Sequence, residues 1–363
     1  MPTGNAKSLG PSADARHLAA LFAIERAGTL VLLAASLFAI PRLARPLESL
    51  AGPAVAAWFC LLLTVAAALA MRLTLPLWCR LYPGVRLGGG YFRQAWPDWA
   101  YACAAPLYAT GIVLHHPGWM FLALPLFVAG HLAPTVSCAR LLRRLNASPA
   151  SKALMLPPAA LALLDHEGLT AAHVRLDPER PDLVAWTPPA RRPVILLGLW
   201  AAEKLTGDEL TAVIAHELGH LRRHHAGTAA LLQFAGWLVV AALLGGALLL
   251  ALPDAHLLGA APPFQAVALA VPAAFLLAAL LETLAGPLAA ALGRRQERQA
   301  NAWAVRHLAD VDISAGAFLS MLHKVHDLLG RPPEPPWWHR LLFGDYPSLK
   351  ETLARLGKTS QGE

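Results

Sequence analysis

Forty-one consecutive residues, Trp99–Ala139, contain no Asp, Glu, Lys or Arg. A run of that length dictates that much of this chain must leave water. Four further segments share the pattern. Ser49–Met71 is 23 residues without a charge, Ala226–Leu252 is 27, and Phe264–Leu292 is 29 with only Glu282. Leu18–Ile40 is interrupted by Glu25 and Arg26. A membrane helix needs about 20 predominantly apolar residues. His115-His116-Pro117-Gly118 divides the longest run in two, so the pattern predicts six spans. Charged residues are 15% of the 363 and hydrophobic residues 56%, with a mean hydropathy of +0.47. Ordinary soluble domains carry about 25% charge, so the composition argues against a cytosolic enzyme.

The net charge of +7 arises from 30 Lys and Arg against 23 Asp and Glu. These cations cluster beside the apolar runs, as positive-inside flanks do, so no nucleic-acid partner is expected. Arg72, Arg80, Arg86 and Arg93, then Arg140, Arg143 and Arg144, then Arg294, Arg295 and Arg298 fall on one side. Segments 115–118 and 253–263 have no cation at all. The alternation predicts a multi-pass protein of the cell membrane with its polar segments in the cytoplasm. Cys60, Cys79, Cys103 and Cys138 form no CxxC pair, so neither a thiolate metal site nor a disulfide framework is indicated.

The expected organisation is a loose tail at 1–17, a four-span region at 18–139 and a first polar segment at 140–225. A two-span hairpin at 226–292 and a second polar segment at 293–363 complete it. In the first polar segment, the strand-like runs Leu183–Trp186 and Val194–Leu197 flank a Pro-rich connection and predict a hairpin. Thr206 with Glu209 three residues on is a capping box, opening a helix near Gly207 that runs toward His225.

That helix carries His216-Glu217-Leu218-Gly219-His220. Histidines four apart share one helix face and can reach one ion. Glu217 beside them can take a proton from an attacking water. Chance supplies HExxH about 0.02 times in a chain of this composition. Catalytic zinc normally takes three protein ligands, and the apolar hairpin returns the chain to the same face at Gly293–Asn301. Glu297 is the one carboxylate between Glu282 and Asp310.

HExxH, an apolar hairpin, then Gly-Arg-Arg-Gln-Glu-Arg-Gln-Ala-Asn together resemble the membrane zinc endopeptidases of the HtpX and CAAX prenyl endopeptidase family. The likeness covers about residues 150–363. It implies a mainly α, polytopic membrane protein with a small cytoplasmic α+β zincin-type domain. It further implies one Zn2+ per chain held by His216, His220 and Glu297, with Glu217 as the catalytic base. Protein or peptide substrates and the lipid bilayer are the implied partners, and membrane-protein quality control the implied role. Asn301 stands where the family has Asp, as a partner of a ligand histidine. Tyr346 stands where the family has His, and its phenol is a candidate transition-state stabiliser. Two other readings fit the same motif: a sensor-type antirepressor peptidase, and a silent scaffold that keeps zinc for structure.

Overall fold

The computed structural model describes residues 27–40, 138–145, 154–177, 184–188, 192–232, 263–328, 337–342 and 346–359, with scattered positions elsewhere. The chain divides into two compact units. One comprises residues 1–15, 135–232 and 286–363; the other comprises 16–134 and 233–285. Everything that bears on function below lies in the first.

Helix α1, Pro158–His166, is started by a proline at its first turn, where a missing N–H costs nothing. Gly168 ends it at φ +68°, which lets the Leu169 N–H return to the Leu164 carbonyl at 2.8 Å. Strands β1 (Val174–Asp177), β2 (Ala185–Trp186) and β3 (Ile195–Gly198) form a sheet in the order β1-β3-β2. β3 pairs parallel with β1 and antiparallel with β2. Its alternating side chains serve two clusters: Ile195 and Leu197 join the main core, while Leu196 packs with Leu145 and Val194. The expected hairpin is present in the β2–β3 pair. β1 completes the sheet beyond it.

A short helix α2, Leu199–Lys204, leads to α3, Gly207–Arg222. The capping box that opens α3 is formed in full. Thr206 Oγ1 accepts from the Glu209 N–H at 3.3 Å, and Glu209 Oε2 accepts from the Thr206 N–H at 2.8 Å. Glu209 also binds Ser320 at 2.6 Å and Lys324 at 2.7 Å, so one carboxylate ties the start of α3 to α5 (Ala315–Leu328). α4 runs Pro263–Leu308; α6, Trp337–Leu342, and α7, Leu349–Thr359, close the chain. Fully buried Leu163, Leu164, Ile214, Leu218, Leu308 and Phe318 place the core between α1, α3, α4 and α5.

The mainly helical character with a small sheet agrees with expectation, but the six-span architecture does not. Among the described residues no helix is long and apolar enough to cross a membrane. Helices α1–α3 and α5–α7 have 6 to 16 residues, which at 1.5 Å per residue is about 9–24 Å, short of a bilayer's roughly 30 Å. The sequence places a span at 264–292 that ends before the charged segment. Instead α4 is one helix of 46 residues that continues through Arg294, Arg295, Glu297 and Arg298 into the core. The polytopic fold, and the multi-pass location built on it, are corrected accordingly. Segment 99–139, most of 49–71 and of 226–252, and the connections at 115–118 and 253–262 lie outside or largely outside the described residues. So do Cys60, Cys79 and Cys103; Cys138 is a buried free thiol.

Candidate metal centre

α3 presents His216 and His220 one turn apart, and α4 crosses it closely enough to add Glu297. The crossing depends on Gly219. A Cβ there would stand 2.9 Å from the Ala300 Cα and 3.0 Å from its carbonyl oxygen. Across this contact His216 Nε2 and His220 Nε2 lie 3.1 Å apart. Glu297 turns one oxygen to each imidazole, both at 3.4 Å. Ligands at about 2.0–2.1 Å from a tetrahedral ion lie about 3.3–3.4 Å from one another. The three side chains therefore fit a metal ion, and they are a group among the described residues that can hold one.

The electrostatics agree with that fit. Burial alone would push the His216 imidazole down, but the adjacent Glu297 carboxylate, with Glu217, outweighs it and holds the pKa above the usual histidine value. Burial would likewise raise Glu297; its hydrogen bonds to His216 and His220 win and lower it from 4.5 to about 2. Two acceptors of positive charge and one anion thus converge on one point.

Glu217 is 7% exposed and accepts a 2.6 Å hydrogen bond from Thr187 Oγ1 through Oε2. Thr187 follows β2 directly, so the sheet edge fixes the carboxylate. Asn301 is buried beside His216. Asn301 Oδ1 and His216 Nδ1 both lack a partner of proper hydrogen-bond geometry, yet the amide is near enough to contribute to the raised His216 pKa. Tyr346 is 41% exposed and lies two residues before Ser348, whose Oγ accepts the Glu351 N–H at the start of α7. The contacts that order the cluster come from Thr187, His225 and Gln299.

Those three escaped the sequence reading. His225 Nδ1 lies 2.9 Å from His220 Nδ1, and His225 Nε2 lies 3.1 Å from Gln299 Oε1. On a continuous helix residue 225 would point about 140° away from residue 220. α3 stops at Arg222, however, and His224 takes φ +51°, a left-handed turn that swings the next ring back. No pattern in the sequence announces a left-handed histidine. Thr187 and Glu217 are likewise joined only by the fold. Burial lowers the His225 pKa, with Gln299 opposing and His220 and Arg223 adding to the fall.

Two histidines on one helix, a carboxylate from a second and a buried glutamate between them define a metal-dependent hydrolase. Residues 185–359 match the profile of peptidase family M48, which contains HtpX and the CAAX prenyl endopeptidases and includes membrane-associated members. That segment holds all four residues, and its match supports metallopeptidase activity. No curated protein was found to match the chain.

Proposed function

We propose that this metallopeptidase is a zinc endopeptidase in which His216, His220 and Glu297 hold the ion. The observation that carries the proposal is the 3.1, 3.4 and 3.4 Å triangle of donor atoms. Two imidazoles and a carboxylate are the donor set of catalytic zinc sites that leave a position open. Bound there, zinc would polarise a scissile carbonyl and make a water acidic enough to attack it.

Glu217 takes the proton from that water as its oxygen bonds to the carbonyl carbon, and delivers it to the amine nitrogen as the C–N bond breaks. Thr187 occupies one carboxylate oxygen and leaves the other for the water. Gln299 and His225 orient His220. Asn301 lies beside His216 and helps to position it, without the charge that a carboxylate would add. Tyr346 donates its phenol to the developing oxyanion.

The substrates are protein segments presented in extended form, and nucleic acid has no part. In the cell the role is turnover of damaged membrane proteins at the cytoplasmic membrane face, with the bilayer as a partner; the match to a family that includes membrane-associated members supports that part. The rival readings are the antirepressor peptidase and the silent scaffold. A scaffold has no use for a buried glutamate fixed by a dedicated hydroxyl. The test is digestion of unfolded casein by zinc-loaded protein, with products read by mass spectrometry. Internal cuts that vanish in Glu217→Gln support an endopeptidase; terminal trimming alone, or no cleavage, refutes it.

A further inference from the structure

On the opposite side of α4 from Glu297 lies a feature that peptide hydrolysis does not use. Arg295, Arg298 and Arg306, with Ala302, recur at three- and four-residue spacing along one helix face. The face bearing Glu297 turns inward with buried Asn301 and Ala304, whereas Arg295, Ala302 and Arg306 are exposed. Arg223 arrives from the end of α3 and Arg355 from α7. Together the five guanidinium groups line a groove of about 310 Å³. Trp303, stacked on His307 at 3.9 Å, gives it a rigid wall.

The charge in this groove is not balanced. Glu351 pairs with Arg298 at 3.5 Å and with Arg355 at 3.4 Å. The guanidinium groups of Arg223, Arg295 and Arg306 make no hydrogen bond or ion pair among the described residues. Arg223, Arg295 and Arg306 thus bring three positive charges that no carboxylate among the described residues meets. A guanidinium cannot relieve repulsion by losing its proton, whereas a bound anion would relieve it.

We infer that this groove is a binding site for a phosphate-bearing ligand, distinct from the metal centre. Guanidinium groups grip anions through paired N–H donors. Here they converge from three elements, more directions than one carboxylate can serve. A phosphate group offers three acceptor oxygens and a charge of about −1.5 to −2, which suits both the number of forks and the excess charge. A free phosphate and a lipid phosphate headgroup share this chemistry.

The experiment uses the full chain in 0.15 M chloride, where weak surface attraction is screened. Inorganic pyrophosphate is titrated calorimetrically, and in parallel phosphatidylcholine vesicles with and without phosphatidic acid are tested by co-sedimentation. The variant Arg295→Gln/Arg306→Gln is compared with Arg192→Gln/Lys204→Gln, which removes equal charge elsewhere. Zinc content, unchanged in all of them, certifies the fold. Binding of about one pyrophosphate per chain, weakened at least tenfold (about 1.4 kcal/mol) in the groove variant alone, supports a free phosphate ligand. The same arginine dependence seen only with phosphatidic acid vesicles supports a lipid headgroup. Binding to neither, equal weakening in both variants, or tighter binding of an aspartate-rich peptide overturns the inference.

Discussion

The side-chain oxygen of Gln299 can only accept a hydrogen bond, and that fact propagates through two imidazoles. His225 must place its proton on Nε2 to meet it, which leaves Nδ1 as an acceptor 2.9 Å from His220 Nδ1. His220 then carries its proton on Nδ1 and keeps the Nε2 lone pair for the ion. His225→Phe keeps the ring's bulk but breaks the relay, and should weaken zinc binding about 10- to 100-fold in a chelator competition. His225→Asn, with an oxygen able to accept, should recover part of it; equal loss in both would reduce His225 to packing. Asn301→Asp should act in the other direction. A carboxylate beside the orphaned Nδ1 of His216 should raise zinc affinity or turnover by up to about tenfold, and an unchanged titration and rate would remove Asn301 from the site. At this scale the sequence displays what helix spacing brings together, His216, Glu217 and His220. It hides Thr187, His225 and Gln299, because a left-handed turn and a strand edge join them.

At the scale of elements, the site is the crossing of α3 over α4, and Gly219 sets its depth. Gly219→Ala would press a methyl against backbone that cannot yield, since the nearest atoms are the Cα and oxygen of Ala300. A loss of about 1–3 kcal/mol is expected, read by urea unfolding, together with weaker zinc binding as Glu297 is levered away from the histidines. Full stability and full zinc affinity in that variant would mean the helices do not cross so closely. The α3 cap makes a second prediction. Burial opposes ionisation of Glu209, yet Lys324, Ser320 and Thr206 lower its pKa from 4.5 to about 2. A lowered folded pKa stabilises above the unfolded value, and the gain is lost as pH falls from about 4.5 to about 2. It is worth about 3 kcal/mol at neutral pH. Glu209→Gln should cost about that much at pH 7 and progressively less toward pH 2; a pH-independent difference would contradict it. The capping box and the β2–β3 pair were legible because each is a local pattern. Strand β1 was not, since Val174-Arg175-Leu176-Asp177 is short, half polar and paired with residues twenty-one positions away.

For the molecule as a whole, hydropathy counts the residues that must leave water and does not say what receives them. The sequence assigned 264–292 to a bilayer, whereas the structure continues that segment as α4 into the metal-site core. The pieces of the site come from α3 and α4, far apart in the chain, so a bound ion should act as a staple between them. Adding zinc to metal-free protein should raise the melting temperature with concentration, as ligand linkage requires. In Glu297→Gln, which keeps only the two ligands on α3, the rise should be largely lost. The central claim, that Glu297 holds the ion while Glu217 works on the water, is tested most directly by one paired measurement. Zinc per chain and casein hydrolysis are determined side by side in Glu217→Gln and Glu297→Gln. The predicted result is about one zinc and no hydrolysis in the first, and loss of both in the second. Full zinc occupancy in Glu297→Gln, or loss of zinc in Glu217→Gln, would contradict it.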